Sequence, residues 1–252
     1  MNKTKLDRFI LKYNLNGNVT AVDWRIKENK LHAPFVTSDR TVSGNVSVDN
    51  FNFEPAKLSV YSTKQLQRML TVLGDNINLS LLKVGKKAIS LKISDPTVSV
   101  NFTLAEPIVI PKQPEFHYDP DHIVFRKLSQ PDVVIDVDAK FIDTFIRGKN
   151  ALPDATTFTV LDNRKDDNLN IVIGHSSTIN TNAITIPVKV KEKLFPDSLS
   201  FNAEIFKEIL LANKECTSAA LKISNSARGF AHIEFKVDDY FSEYYLSAMQ
   251  SN

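Results

Sequence analysis

Leu58-Ser-Val-Tyr-Ser-Thr-Lys-Gln-Leu-Gln-Arg-Met-Leu70 is followed by two alternating apolar segments, and the same layout returns at Leu199-Ser-Phe-Asn-Ala-Glu-Ile-Phe-Lys-Glu-Ile-Leu210. With a one-residue slip, Leu66, Met69 and Leu70 fall on Phe206, Ile209 and Leu210. That i, i+3, i+4 spacing belongs to a helix that buries one face. Each copy therefore reads as strand, short helix, hairpin. An earlier helix is duplicated too, because Phe9, Ile10 and Tyr13 match Phe141, Ile142 and Phe145 at the same spacing. A repeat of this length implies a pseudo-symmetric chain of two units, each with two helices and many strands.

Working outward, the first helix is expected from Lys3 to Tyr13, ending at Asn14-Leu-Asn-Gly-Asn18, where Gly17 suits a left-handed turn. Strands are expected at 19–26, 30–37, 41–48 and 56–61, and the next helix at 63–73 with Ser62 as its cap. A meander over 77–84, 87–93 and 97–104 completes the first half. The second half repeats the plan: a strand at 133–137, a helix from Asp138 to Lys149 capped by Asp136 or Asp138, and strands at 156–161, 169–173 and 183–190. A helix at 203–213 and three final strands at 219–224, 230–237 and 240–248 follow. Pro187 places its strand at an edge or a bulge. Strands outnumber helices, so the fold class is α+β, with antiparallel sheets and four helices on one face.

Glu106-Pro-Ile-Val-Ile-Pro-Lys-Gln-Pro-Glu115 is the compositional break. Its prolines remove amide donors and force an extended path, as in a semi-rigid connector. Residues 1–105 and 121–252 are expected as the two domains, with 106–120 between them. Ile108, Val109 and Ile110 must then lie on a domain or on a partner, because a linker alone cannot bury them.

Composition excludes several classes. With 42% apolar and 24% charged residues, the chain is that of a folded globular protein, and no apolar run reaches signal-peptide or membrane-spanning length. A single cysteine, Cys216, fits a buried packing role in a reducing compartment, so an intracellular setting is expected. Reaction motifs are missing: no Walker loop, G-x-S-x-G, H-E-x-x-H, C-x-x-C or dinucleotide fingerprint occurs. His117-Tyr-Asp-Pro-Asp-His122 offers two imidazoles and two carboxylates, but it adjoins the connector and reads as a solvated loop. Asp162-Asn-Arg-Lys-Asp-Asp167 lacks the glycine and the distal glutamate of a calcium loop. Neither an enzyme nor a resident metal or cofactor is expected.

Charge is informative in its distribution. The four helical segments together carry +6 while the whole chain carries +2, leaving −4 for the remainder. A basic helical layer beside a mildly acidic remainder is how a non-specific phosphate-facing surface looks, and equally how solvated helix faces look.

The two-domain duplication, the helix entered from a short strand, the Pro-rich connector and the terminal Tyr244-Tyr-Leu-Ser-Ala248 strand resemble a DNA polymerase sliding clamp. The likeness is to the clamps of tailed phages and, more distantly, to proliferating cell nuclear antigen. It covers nearly the whole chain and rests on the order of weak motifs. The resemblance implies a processivity factor: a homotrimeric ring around duplex DNA, with helices lining the lumen, that tethers a DNA polymerase and is opened by a clamp loader. For a phage protein the setting would be the infected bacterial cytoplasm, with no membrane involved. Lys3, Lys5, Arg8, Lys12, Lys64, Arg68, Lys140, Arg147, Lys149 and Lys207 would then face DNA. Val36, Val42, Ile108, Ile110, Tyr245 and Leu246 would form a pocket for partner peptides. The edge strands 97–104 and 183–190 would pair between subunits. Two other readings stand beside it: a phage tail or baseplate protein of duplicated β-rich domains, and a single-strand DNA-binding accessory protein. The second lacks stacking aromatics in its basic segments.

Overall fold

A computed structural model describes residues 1–112, 118–119, 124–125, 131–162, 168–176, 181–190, 198–225 and 229–249. The chain divides into two compact units. The first comprises Met1–Ser38, Gly44–Phe125 and Asp239–Phe241, and the second Asp39–Ser43, Arg126–Asp238 and Ser242–Asn252. Residues 106–120, expected as a connector, fall within the bounds of the first unit.

In the first unit, α1 (Lys3–Asn14) is followed by β1 (Val22–Lys27), β2 (Lys30–Val36), β3 (Val42–Val48) and β4 (Ala56–Val60). Next come α2 (Thr63–Leu70), β5 (Asn78–Val84), β6 (Lys87–Ser94), β7 (Ser99–Thr103), β8 (Tyr118–Asp119) and β9 (Val124–Phe125). The strands order as β3-β2-β1-β4 and β5-β6-β7, with β8-β9 a separate pair. Asn2 caps α1 by accepting from the Thr4 amide at 2.8 Å. The helix ends where Leu15 takes a left-handed conformation (φ 47°), two residues before the left-handed Gly17 (φ 92°) expected there. Ser62 occupies the α2 N-cap but makes no side-chain cap bond, so the expected hydroxyl cap is not formed. The helix itself ends at Leu70, three residues sooner than the periodicity indicated.

In the second unit, β10 (Val133–Asp138) leads into α3 (Ala139–Ala151), β11 (Thr157–Asp162), β12 (Asn168–Ile173), β13 (Ile184–Lys189) and β14 (Leu199–Asn202). These precede α4 (Ala203–Ala212), β15 (Ser218–Ser224), β16 (Phe230–Val237) and β17 (Tyr240–Ser247). The sheets order as β10-β15-β16-β17 and β13-β12-β11-β14. Isolated bridges Ile135–Val190 and Ser200–Met249 tie one sheet to the other. Asp138 and Asn202 cap the two helices, accepting from the Phe141 and Ile205 amides at 2.7 and 3.0 Å. Of the two aspartates weighed for the α3 cap, Asp138 performs it. Pro187 pairs opposite Asn170 on β13, the terminal strand of its sheet, where a missing donor costs least.

The duplication is visible in the cores. In the first unit α1 packs on α2, and Phe9, Tyr13, Trp24 and Leu66 are sealed. Phe9 meets Tyr13 and Trp24 edge-on at 5.5 and 5.8 Å, and the Trp24 indole N–H donates to the Tyr13 hydroxyl at 3.2 Å. In the second unit α3 packs on α4, with Phe145, Phe158 and Phe206 in the corresponding places, ring centroids 4.8 to 5.3 Å apart. Edge-to-face aromatic packing of this kind adds about 0.5–1.5 kcal/mol per pair beyond area burial. Of the residues matched in the sequence, only Met69 remains half-buried. Cys216 is buried and donates to the Ser218 carbonyl at 3.2 Å.

Candidate nucleic-acid interface

Each unit presents a pair of helices whose apolar stripe is consumed by its own core, so the outward stripe is what meets solvent. On α2 that stripe carries Lys64 and Arg68, four residues apart and both exposed. On α3 it carries Lys140 and Arg147, also exposed, with Asp143 between them. Arg147 pairs with Asp143 at 2.8 Å across one helical turn. Such an exposed pair contributes at most about 0.5 kcal/mol, so a phosphate can compete for the guanidinium. Lys64, Arg68 and Lys140 have no ion-pair partner among the described residues.

The cations of α1 are held differently. Lys3 Nζ donates to the Leu73 carbonyl at 2.6 Å. Lys5 Nζ bonds the carbonyls of Asp49 and Asn50 and pairs with Asp239 Oδ2 at 2.9 Å. The Asp239 carboxyl is held below its usual range by that hydrogen bond and charge. The Arg8 guanidinium lies 4.7 Å above the Tyr240 ring and the Lys12 ammonium 5.6 Å from it, both within cation–π reach. Tyr240 in turn donates its hydroxyl proton to the Lys5 carbonyl at 2.9 Å. Lys12 is only 1% exposed, so its charge is committed inside the unit.

Lys149 and Lys207 are committed as well. Lys149 is 3% exposed, donating to the Pro153 carbonyl at 2.9 Å and pairing with Glu204 at 3.0 Å. Lys207 bonds Glu204 and lies 3.2 Å from Glu208. Burial opposes charge on Lys207, yet its bonds to Glu204 and Glu208 outweigh that and raise its pKa. Of the ten cations expected to face DNA, Lys12 and Lys149 are thus buried within their units, and Lys207 lies against two carboxylates. Sequence pattern locates these lysines on helices, but the partners lie on other elements and carry no local signal.

The six apolar residues expected to line a peptide pocket are placed unequally. Val36, Val42, Ile110, Tyr245 and Leu246 are buried, whereas Ile108 is 86% and Val109 59% exposed. The exposure follows from a single 3₁₀ turn over Pro107–Val109 that ends at Ile110. That turn points Ile110 into the unit and leaves its two predecessors outside. The available apolar surface is thus Ile108–Val109. Val109 belongs to the same apolar run, within which the sequence carries no signal of burial. Nothing is described for the side chains of the His117–His122 stretch, and 163–167 of the Asp162–Asp167 stretch lies outside the described residues.

No protein-family model and no curated protein sequence matches the chain. Solved structures do. The chain matches proliferating cellular nuclear antigen from Entamoeba histolytica at 12% identity and a TM-score of 0.69, over 99% of this chain and 97% of that one. It matches a chain of the structure of the C-terminal region of FEN-1 bound to A. fulgidus PCNA at 14% identity and 0.69, over 100% and 98%. The fold is therefore that of a DNA sliding clamp: α+β, duplicated, with antiparallel sheets and four α-helices among the described residues. Within that class the likeness is to the PCNA clamps, over the whole chain.

Proposed function

We propose that this chain is a DNA polymerase processivity factor: a subunit of a homotrimeric ring that encircles duplex DNA and tethers a replicative polymerase, without catalytic activity of its own. The observation that carries the reading is the end-to-end correspondence with sliding clamps in both directions of coverage. Exposed Lys64, Arg68 and Lys140, with Arg147 exchangeable, supply the sequence-independent phosphate contact such a ring needs. Lys3, Lys5 and Arg8 contribute field more than direct contact while their head groups stay bonded.

Subunit closure is assigned to β7 and β13. Each is the terminal strand of its sheet, and unpaired edges are otherwise open to aggregation. Partner peptides, those of the polymerase and the loader included, are assigned to the exposed Ile108–Val109 turn. The order of motifs in the sequence favours a tailed-phage clamp acting in the bacterial cytoplasm. A partner-bound clamp stands among the structural matches, in keeping with peptide docking here.

The deciding experiment is light-scattering chromatography at micromolar and nanomolar concentration, followed by retention on nicked circular and linear duplex. A mass of three times 28.3 kDa, with retention on circles that is lost on linearisation, is the expected result. A monomer or larger polymer that loader and DNA do not convert to a trimer would return the chain to the tail or baseplate reading.

A further inference from the structure

His232 is a buried histidine with an orphaned nitrogen. Its side chain is 2% exposed, and Nε2 has no hydrogen-bond partner. Buried polar atoms are normally satisfied, so an exception asks for a ligand or another explanation. Two carboxylates face this nitrogen: Glu234 Oε1 at 3.6 Å and Glu243 Oε2 at 3.7 Å, with the Glu243 side chain 7% exposed. Both distances exceed hydrogen-bonding reach.

The placement follows from strand periodicity. His232 and Glu234 are two apart on β16 and so share a sheet face. The two-residue turn at Asp238–Asp239 sets Glu234 opposite Glu243 and His232 opposite Tyr245 on β17. Tyr245 stacks on the His232 ring at 4.2 Å and 19°, fixing the imidazole plane. On β15, Lys222 sits across from His232, with Nζ 3.7 Å from Glu234 Oε2. Lys222 thus engages one oxygen of Glu234 and leaves the other turned toward the imidazole.

We propose that His232, Glu234 and Glu243 form a binding site for a divalent transition-metal ion, Zn²⁺ being the species whose ligand chemistry fits best. One imidazole and two carboxylates are a set that Zn²⁺ accepts, and bonds of about 2.0–2.1 Å in tetrahedral array separate ligand atoms by about 3.3–3.4 Å. The three ligand atoms lie within 4.8 Å of one another: the imidazole closes a few tenths of an ångström on each carboxylate, and the half-exposed Glu234 side chain turns to bring its oxygen nearer that of Glu243. Glu234, with 29% of its side chain exposed, gives the ion its entry and leaves a fourth position for water. The bound ion would cross-link β16 to β17 and supply the partner that Nε2 lacks. The site is independent of the processivity reading.

The test uses the full chain carrying His117→Ala and His122→Ala, which removes the two imidazoles that stand beside their own pair of aspartates in the sequence. After EDTA treatment and buffer exchange, Zn²⁺ is titrated by calorimetry, and Co²⁺ is added to a second sample to record its d–d absorption. One equivalent per chain, tetrahedral Co²⁺ bands quenched by Zn²⁺, and a Tm rise of about 5–10 °C at a hundredfold excess of Zn²⁺ over Kd are expected. Glu243→Gln should weaken binding at least about tenfold, and so should the more exposed Glu234→Gln, which spares the core. Absence of uptake, or uptake unchanged in the folded Glu234→Gln variant, overturns the site.

Discussion

Lys149 Nζ lies 3.0 Å from Glu204 Oε2, joining α3 to α4 with the lysine side chain only 4% exposed. A lysine counted in sequence among the DNA-facing charges is in fact a fastener of the second unit. Lys149→Ala should therefore lower stability by about 1–3 kcal/mol, by stripping Glu204 and the Pro153 carbonyl of a donor. Urea unfolding would read it. Salt dependence of DNA retention should remain that of the parent protein.

Phosphate binding should sort by freedom of the head group. Neutralising Lys64, Arg68 and Lys140 together should shorten clamp-dependent synthesis and flatten its salt dependence, the log–log slope falling by about one for each neutralised cation that had faced a phosphate. Lys207→Ala should do neither, since that charge is spent on Glu204 and Glu208. Primer extension over a salt series, with trimer mass checked for each variant, makes the comparison. Equal impairment in both variants would defeat the assignment.

The connector pair divides by burial. Ile110→Asp should cost on the order of 3 kcal/mol or more, because Ile110 is only 6% exposed and the new carboxylate would have no partner inside. Ile108→Asp should change stability by no more than about 0.5 kcal/mol. It should nevertheless weaken binding of the polymerase's C-terminal peptide, measured by fluorescence anisotropy. Unaltered peptide affinity in Ile108→Asp would remove this turn from partner docking.

Acid should destabilise the chain through identifiable carboxylates. Asp95 accepts from the amides of Gly74, Val98 and Thr97, with the Thr97 hydroxyl as well, and these bonds hold it far below the usual range. Burial opposes ionisation of Glu204, but hydrogen bonds from Lys207 and Lys149 overcome it and depress its pKa. A group whose pKa is lower folded than unfolded stabilises fully above its unfolded pKa. That stabilisation is lost as pH falls through the folded value. Stability should be highest above about pH 6.5. Below that it should decline, first because burial pushes the His32 imidazole down to about 4 while the unfolded chain protonates earlier, and more steeply below about pH 4 to 4.5 as these carboxylates protonate. Asp95→Asn should make the decline shallower, as followed by thermal melts across the acid range.

Local periodicity fixed much of this molecule in advance. Phe9, Ile10 and Tyr13 and their counterparts Phe141, Ile142 and Phe145 are all buried, as a helix facing one core requires. The paired helices, the order of strands, the edge position of Pro187 and the α+β class were likewise legible, because side-chain direction repeats every 3.6 residues in a helix and every two in a strand. The same rules could not tell Ile108 from Ile110, which a single 3₁₀ turn sends to opposite environments. Nor could they separate the free Lys64 from the committed Lys5, Lys149 and Lys207, or bring His232 between Glu234 and Glu243. Those outcomes depend on which groups from distant or facing strands and helices arrive beside each side chain. Charge pairing and burial act through space, so only the tertiary structure decided which cations remain available and which buried imidazole nitrogens are left without a hydrogen bond.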